Sequence, residues 1–393
     1  MKFSITHAIP VYAPAWQFGG PVLSVSRLCE ALAKAQQRVK VLTTDTGLNT
    51  MDVEAINQPI TREGVEVTYY AAQKNSSTIR SQDLIDALPN ALQGADLVHL
   101  SAIWQPLGIP IQRAAYALDI PILHSLRGAL GPYSRRKKWW KKTPYYWLQE
   151  RPWLQRAAGI HVTTHQEMKE IEMLNLRAPC YLLPNSIDLE QLKLDPEAGF
   201  KWRIENQIGL AKPLLIICGR QHHKKGLDLI PKILELIQNK DWHLGIIGND
   251  DDGSGKALKS ELRNLGFHHR ITELPNQPAS KLCPIYNAAD LLLLPSRHEN
   301  FGNVVIEALA CGCAVMTSDN TGVGGDLLED APSNFGAVLP RSPEIWANWL
   351  EAWLQQPQRA DAQSALWVAQ RFSSSAVAKQ AIAIYQDILE AHQ

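Results

Sequence analysis

Two glutamates carry the strongest chemical signal in the sequence. Glu299 lies in the loop that follows the apolar run Leu291 to Leu294, and Glu307 lies eight residues further on, in a predicted helix. Ionised carboxylates accept hydrogen bonds from adjacent hydroxyl groups, so the pair suits a ligand rich in sugar hydroxyls. Glutamates on a helix ordinarily form a solvated face, but the neighbours of Glu307 are apolar or small. The pattern therefore favours a buried, functional position for Glu307.

A basic loop between an apolar run and a predicted helix is the second candidate. It covers residues 219–226, with Arg220 directly after the strand end and its glycine, and Lys225 at the start of the helix. Arginine presents a planar fork and lysine a point charge, and both suit a diphosphate. The alternative is a solvated basic loop, which is less favoured because Arg220 follows the strand end so closely.

A glycine pair, Gly19 and Gly20, separates the first predicted strand from the first predicted helix. Glycines let the backbone approach an anion, and a helix N-terminus supplies N–H groups and a partial positive charge. Phosphate is the expected ligand. A tight strand-to-helix turn without a ligand explains the pair equally well when it is taken alone.

The elements that must position these loops alternate between strand and helix in two series. Predicted strands cover residues 3–8, 39–43, 65–70, 96–101, 120–126, 159–163 and 180–183, then 214–218, 243–247, 290–294 and 314–317. This order predicts an α/β protein with two Rossmann-like parallel-sheet domains that face a cleft. The domains are residues 1–190 and 191–373, and a last helix, 374–393, is expected to return to the N-terminal domain. The charged stretch 188–212 shows no period and is interpreted as the interdomain connection.

Composition excludes several classes of protein. The chain has 393 residues, with 39 Lys and Arg against 39 Asp and Glu, so no net charge attracts it to nucleic acid or to an anionic membrane. No apolar stretch approaches the ~20 residues of a spanning helix, and the first residues are typical of a strand rather than of a secretory leader. The six cysteines are interpreted as reduced core residues, since Cys311-Gly-Cys313 is too tight for a typical metal site. A cytoplasmic protein with no bound metal is expected.

Together these motifs resemble those of the retaining glycosyltransferases of family 4, which have the GT-B fold. The resemblance extends over nearly the whole chain, and its signature is the spacing of Glu299 and Glu307 within Pro-Ser-x-x-Glu-x-Phe-Gly. Further matches are the glycine pair, the strand Asp96 to His99, the junction Pro184 to Asp188 and the loop 219–226. The resemblance implies a nucleotide-sugar as donor substrate, with no cofactor and no metal.

The resemblance also implies roles for residues of the C-terminal domain. Arg220 and Lys225 would hold the diphosphate of the donor, and Glu307 the ribose hydroxyls. Glu299 would hold the transferred sugar, and the backbone of Phe301 and Gly302 the sugar and phosphate. Retention follows in the usual proposal for the family because the acceptor hydroxyl attacks from the face that the phosphate leaves.

In the N-terminal domain the resemblance implies that Gly19 and Gly20 close on the same diphosphate. Many members of the family carry His-Gly after the fifth strand, where this chain has Arg127-Gly128. A permanent cation there could hold a phosphate, so Arg127 is ranked first among the catalytic candidates of this domain. A strand histidine could orient the acceptor or accept its proton, and His99 and His124 are the two candidates. His99 matches the usual strand histidine of the family, whereas His124 lies inside an apolar strand and is interpreted as a core residue.

A basic aromatic segment, residues 127–156, contains nine Lys and Arg but one Glu. Its charges are interleaved with Trp and Tyr, a mixture that suits the headgroup layer of an anionic membrane. A solvated basic face with folded-in aromatics is the nearest alternative, and nucleic-acid binding is the least favoured one.

The leading hypothesis is a retaining, metal-independent glycosyltransferase at the inner face of the cytoplasmic membrane. It would move a sugar to a saccharide or lipid-linked oligosaccharide acceptor in cell-surface polysaccharide synthesis. The alternatives are a nucleotide-sugar epimerase of the same fold and a membrane- or nucleic-acid-binding protein on an inactive transferase scaffold. The charged residues of the two C-terminal loops argue against an inactive scaffold.

Overall fold

The computed structural model describes residues 2–49, 55–73, 78–136 and 138–392. The chain divides into two compact units, Met1–Ser186 with Ser374–Gln393 and Ile187–Ser373. The structural boundary lies a few residues before position 190, because the Ile187 N–H donates to the Phe372 carbonyl (2.7 Å) and its side chain lies in the second core. The last helix, residues 374–392, packs within the first unit.

The first unit contains an eight-stranded sheet in the order β3-β4-β2-β1-β5-β6-β7-β8, parallel except at the β3–β4 pair. Its strands are β1 (Ser4–Val11), β2 (Arg38–Thr44), β3 (Pro59–Arg62), β4 (Val65–Tyr70), β5 (Leu97–Leu100), β6 (Ile122–Ser125), β7 (Gly159–Val162) and β8 (Cys180–Leu182). Its first helices are α1 (Gly20–Lys34), α2 (Gln82–Ala91), α3 (Gly108–Ala117), α4 (Pro132–Arg136), α5 (Trp139–Tyr145), α6 (Arg151–Leu154) and α7 (His165–Glu172), with a π-turn at Tyr146–Glu150.

The second unit contains a six-stranded, all-parallel sheet in the order β11-β10-β9-β12-β13-β14. Its strands are β9 (Leu214–Cys218), β10 (His243–Ile247), β11 (Ile271–Leu274), β12 (Leu291–Leu294), β13 (Ala314–Ser318) and β14 (Gly336–Leu339). The remaining helices are α8 (Pro196–Glu205), α9 (Leu229–Leu236), α10 (Ser254–Asn264), α11 (Ala279–Ala288), α12 (Asn303–Ala310), α13 (Gly324–Asp330), α14 (Pro343–Gln355), α15 (Ala362–Phe372) and α16 (Ser374–His392), of which α16 belongs to the first unit. The expected α/β class with two parallel sheets is confirmed.

Central strands of both sheets are buried on both faces, which is why they read as apolar runs in the sequence. All eight residues of β1 and all four of β12 are buried. The missed strands β3, β11 and β14 lie at sheet edges and are half-exposed, so they carry no clear apolar pattern. Within the described ranges, every helix is too short or too polar to span a bilayer.

Helix α8 corrects the expectation of an irregular connection over residues 188–212. It starts at a capped position, since the Asp195 carboxylate accepts from the Ala198 N–H (3.0 Å) and Pro196 occupies the first turn. Its inner anchor is Arg203, which is 5% exposed and forms a salt bridge with Asp290 (2.5 Å). Because a charged residue is buried there, the helix shows no apolar stripe, and the periodicity argument missed it.

Helix α16 is fixed to the first sheet through a chain of buried polar groups. The Leu183 carbonyl can only accept, so His161 donates to it from Nε2 (2.8 Å) and accepts at Nδ1 from His99 Nε2 (3.0 Å). His99 then accepts at Nδ1 from the hydroxyl of Tyr385 on α16 (2.9 Å). Burial lowers the pKa of His161 to about 3, and Arg127 acts in the same direction, so the His161 imidazole is neutral at neutral pH.

Candidate active site

Two loops of the second unit meet at the carboxyl ends of adjacent strands. The loop 219–226 follows β9 and the loop 295–302 follows β12, and these strands are paired in the sheet. Lys225 Nζ donates to Glu299 Oε2, and both side chains are about three-quarters buried, at 21% and 24% exposed. The structure thus brings together two of the predicted site residues from loops more than seventy positions apart.

The two loops are also joined through their backbones. Gly226 has φ +64°, and a Cβ atom there would lie 2.1 Å from the Pro295 carbonyl oxygen, so this position requires glycine. Arg341 donates from Nε to the Pro295 carbonyl (2.8 Å) and from Nη2 to the Gly226 carbonyl (3.2 Å). Sequence reasoning missed Arg341. It follows strand β14, and a correct assignment of that strand would have placed it at the same sheet edge.

The segment before α12 has a fixed backbone and leads into a helix N-terminus that no side chain caps. Glu299 donates its N–H to the Asn320 carbonyl (3.0 Å), and the Val323 N–H donates to the Phe301 carbonyl (2.9 Å). Gly302 caps α12 with φ +98°, offers no capping side chain, and no acidic residue lies in the first turn. The N–H groups and the partial positive charge of this end suit an anion.

Glu307 lies on the inner face of α12, 6% exposed, so its expected burial is confirmed. Its Oε2 accepts from the hydroxyl of Tyr286 (3.2 Å), which also lies 3.2 Å from Cys218 Sγ at the end of β9. Glu307 therefore faces the same strand end as the loop 219–226. A carboxylate in this position can receive hydroxyl groups of a ligand.

Arg220 projects from the loop after β9. Its side chain is 62% exposed, and Nη1 lies 3.2 Å from Asp251 Oδ2, so the guanidinium keeps further donors for a ligand. In the same loop His222 and His223 lie beside Asp252, with ligand atoms within 4.8 Å of one another. Among the described residues, these three side chains form one group in the second unit that could hold a metal ion.

In the first unit, Gly19 caps α1 with φ +81°, and Gly20 and Pro21 form its first turn. No side chain caps this end and no acidic residue lies in the first turn. The geometry is that of an anion-binding helix N-terminus, as the glycine pair predicts. One turn further, the Ser24 hydroxyl accepts from Arg127 Nη1 (2.7 Å).

Arg127 therefore lies beside the start of α1, at the carboxyl edge of the first sheet. Nη1 also donates to Asn185 Oδ1 (3.1 Å), and the Nε atom is buried without a described hydrogen-bond partner. Burial lowers the pKa of Arg127 to about 10, so the side chain remains a cation at neutral pH. Arg127 and the following Gly128 both have positive φ, +49° and +73°.

Glu167 holds this unusual turn in place and was not predicted to do so. The sequence pattern Thr164-x-x-Glu167 predicts a capping box, and Thr164 indeed accepts from the Glu167 N–H (3.1 Å). The Glu167 carboxylate reaches across to the Gly128 N–H and also accepts from the Thr163 N–H (2.8 Å). Nothing in the local sequence signals a contact that spans 39 positions.

His99 has a structural place in the first unit rather than the expected contact with an acceptor. It is 1% exposed, and its two ring nitrogens are engaged by Tyr385 and His161. His124 is fully buried in β6, as expected of a core residue, and neither ring nitrogen has a hydrogen-bond partner among the described residues.

The basic aromatic segment, residues 127–156, forms helices α4 to α6 and the π-turn between α5 and α6. Tyr146 is buried, but Trp139, Trp140 and Trp147 are 65%, 60% and 57% exposed and Leu148 is 73% exposed. Folded-in aromatics therefore account for only part of the segment. A cluster of exposed indoles is uncommon on a protein surface that meets only water.

Comparison with known proteins now identifies the family. Residues 19–186 match the family described as "Glycosyl transferase 4-like domain", and residues 200–365 match "Glycosyl transferases group 1". The chain belongs to the glycosyltransferase family that these two domains define.

Individual relatives agree with this assignment. D-inositol 3-phosphate glycosyltransferase of Segniliparus rotundus is 30% identical over 215 residues, which are 53% of this chain and 47% of that protein, so the match spans about half of the relative. Sucrose-phosphate synthase of Thermosynechococcus elongatus superposes with a TM-score of 0.75 at 19% identity, over 99% of this chain and 100% of that one. The Anabaena protein HepE in complex with UDP and glucose gives a TM-score of 0.73 at 17% identity, over 98% and 100%. These likenesses confirm the GT-B fold.

The substitutions His99→Leu and His124→Leu test the contrast between the two buried histidines. His99→Leu leaves the Tyr385 hydroxyl and His161 Nδ1 without partners, so the free energy of unfolding should fall by about 2 kcal/mol or more. His124→Leu replaces an unpartnered imidazole by an apolar side chain, and the change should stay below about 1 kcal/mol. Urea unfolding at neutral pH measures both.

The pH dependence supplies the second readout. Burial lowers the pKa of His124 from 6.5 to about 4, so the unfolded chain binds a proton that the folded chain does not, and stability is lost as the pH falls across this window. His124→Leu should therefore lose less stability on acidification, by about 1.4 kcal/mol per pH unit. An unchanged slope in His124→Leu, or equal stabilities of the two variants, would contradict the arrangement.

Proposed function

We propose that this protein is a retaining, metal-independent glycosyltransferase that moves a sugar from a nucleotide-sugar to a saccharide acceptor. The observation that carries the proposal is the pairing of Lys225 with Glu299 at the carboxyl ends of β9 and β12, beside the buried Glu307. A cation for phosphate and two carboxylates for hydroxyls thus lie at one edge of one sheet. Family membership supports the same class of reaction.

The second unit would supply the main contacts to the donor. Lys225 and Arg220 would neutralise the diphosphate together with the N-terminus of α12 at Gly302. Glu307 would accept from the ribose hydroxyls. These cations and N–H groups can take up the charge of the departing diphosphate, so neither a metal nor a cofactor is required for that step.

The Lys225–Glu299 ion pair implies an exchange of partners. A diphosphate carries more charge than one carboxylate and would replace Glu299 as the partner of Lys225. Glu299 is then released to accept from hydroxyls of the transferred sugar. Binding of the phosphate and positioning of the sugar become one coupled event.

Transfer with retention needs no protein nucleophile. The bond between sugar and phosphate breaks as the diphosphate leaves, the acceptor hydroxyl attacks from the same face, and its proton passes to the departing diphosphate. In the first unit, Arg127 and the N-terminus of α1 at Gly19 and Gly20 supply positive charge for a phosphate. An epimerase of the same fold would instead convert the donor without any acceptor.

The acceptor is proposed to be a saccharide on a lipid, used in cell-surface polysaccharide synthesis at the inner face of the cytoplasmic membrane. Exposed indoles and cations of the basic aromatic segment support peripheral attachment. The similar protein of Segniliparus rotundus is named for an inositol phosphate, so a phosphorylated acceptor is consistent with that name.

Two substitutions test the donor site. Glu307→Ala and Arg220→Ala should each weaken nucleotide-sugar binding by about tenfold or more, since each removes charge-assisted hydrogen bonds. Thermal shift against a panel of nucleotide-sugars finds the donor, because a ligand at 100 times its Kd stabilises by ~2.7 kcal/mol. Turnover with the donor so found is measured with and without a chelator.

Glu261→Ala and Arg263→Ala on the exposed face of α10 are the matched controls and should bind as the parent does. Normal turnover of Glu307→Ala or Arg220→Ala overturns the site, and loss of turnover with the chelator overturns metal independence. Conversion of the donor without acceptor indicates the epimerase, and binding without any conversion indicates the inactive scaffold.

Vesicle binding tests the membrane proposal. Binding should require anionic lipid and should weaken with salt, because each cation near the surface contributes ~1 kcal/mol that salt screens. Neutralising Arg136, Lys138 and Lys141, all exposed, should reduce binding strongly in co-sedimentation.

Neutralising Lys232, Lys256 and Lys379 changes the net charge equally at exposed positions elsewhere and is the control. Equal losses in both triple variants, or undiminished binding to neutral vesicles at high salt, would show that the segment is not a membrane surface.

A further inference from the structure

A pocket of about 280 Å³ is lined largely by the basic aromatic segment of the first unit. Its walls come from α4, α5, the π-turn, α6, the loop after β5 and the end of α7, and include Trp104, Arg135, Lys142, Tyr146, Trp147 and Arg151. The volume is just below the usual range for small-ligand sites. It suits a compact headgroup better than a whole oligosaccharide.

The charge of the lining is one-sided. Three of the lining residues are cations and none is Asp or Glu. Arg135 and Arg151 have no carboxylate within ion-pair distance among the described residues, and Arg135 Nε is buried without a described hydrogen-bond partner. An anion is therefore the complementary ligand, and several oxygens would be needed to satisfy donors on three sides.

Two of the cations are positioned by backbone carbonyl groups and aromatic rings of the pocket wall. Arg151 donates to the Leu174 carbonyl (2.7 Å) and lies over the Trp147 ring at 4.8 Å. Lys142 donates to the Ser134 carbonyl (2.7 Å) and lies 5.2 Å from the centre of the Trp104 ring. Each side chain is positioned before any ligand arrives.

Trp104 shows that the wall of the pocket is specifically constructed. It has φ +62°, a conformation that costs a bulky residue about 1–3 kcal/mol. The strain is offset by two contacts, from its backbone N–H to the buried Glu150 carboxylate (2.9 Å) and from its indole N–H to the Ala129 carbonyl (3.0 Å). Backbone strain of this kind is characteristic of ligand sites.

The source of the anion follows from the surroundings of the pocket. Trp147 lines the pocket and is more than half exposed, and the neighbouring Leu148 is 73% exposed. The helix that supplies Lys142 begins with the exposed Trp139 and Trp140. Such residues enter the interfacial layer of a bilayer and would lie beside the first part of a hydrocarbon chain.

We propose that this pocket binds the phosphoryl headgroup of a lipid, with Arg135, Lys142 and Arg151 around the phosphate and the indoles at the membrane. The proposal rests on the proposed function and adds to it the site that binds the phosphate group of the lipid-linked acceptor. Membrane attachment and acceptor recognition would then share one segment.

Two neighbouring pairs of cations allow a matched test. Arg135 and Lys142 line the pocket, whereas Arg136 and Lys141, the residues next to them, are exposed and do not. The double variants Arg135→Gln/Lys142→Met and Arg136→Gln/Lys141→Met change the charge of the segment equally. Calorimetry measures the affinity for monomeric farnesyl phosphate and, in separate experiments, for farnesol and for inorganic phosphate. Because no membrane is present, these affinities report on the pocket and not on attraction to a charged surface.

The pocket variant should lose at least about tenfold in affinity for farnesyl phosphate, while the control variant keeps the affinity of the parent. Farnesol and inorganic phosphate should each bind at least about tenfold more weakly than farnesyl phosphate. Equal losses in the two variants, no loss in either, or equal affinity for farnesol or for inorganic phosphate would overturn the proposal. Thermal unfolding of both variants checks that the fold is intact.

The outcome is separable from that of the proposed function. Farnesyl phosphate binding is measured without any donor, and nucleotide-sugar binding to the second unit is measured without any lipid. Loss of donor binding in the pocket variant would itself contradict the proposal, because the pocket lies wholly within the first unit.

Discussion

The candidate active site depends on one ion pair, between Lys225 and Glu299. The two side chains come from loops that follow adjacent parallel strands, and only the pairing of β9 with β12 brings them together. Because both are largely buried, removing either partner would leave an uncompensated charge. A ligand that offers Lys225 another anion compensates the charge of Lys225 and leaves the Glu299 carboxylate able to accept hydrogen bonds. In this way a charge pair can bind a phosphorylated sugar.

The sequence predicts most of the fold for a physical reason that also explains the misses. Strands in the middle of a parallel sheet are covered on both sides, so β1, β9 and β12 appear as largely apolar runs, each followed by a loop that contains glycine. The edge strand β14 is half-exposed, and α8 buries the salt bridge of Arg203 with Asp290 instead of an apolar stripe. Neither leaves a periodic signal. The last helix, α16, by contrast, begins at residue 374 as predicted.

The site shows the same division. Glu299, Glu307 and the basic loop were predictable because glycines and charges cluster beside strand ends. Arg341 and Glu167 were not, since they bind backbone groups of loops far away in the chain, Pro295 and Gly128. The expectation for His99 came from its place on a strand. That strand is internal, and both ring nitrogens of His99 form hydrogen bonds in the chain of polar groups that joins α16 to the sheet.

The most direct measurement of the central claim is the affinity of Glu299→Gln for a nucleoside diphosphate and for the corresponding nucleotide-sugar. If the diphosphate replaces Glu299 as the partner of Lys225, the variant should bind the nucleoside diphosphate at least as tightly as the parent, because the competing carboxylate is gone. The ratio of its affinity for the nucleotide-sugar to its affinity for the diphosphate should be about tenfold lower than in the parent, because the sugar loses a charged hydrogen-bond acceptor. Equal changes for the two ligands, or weaker binding of the diphosphate, would contradict the account.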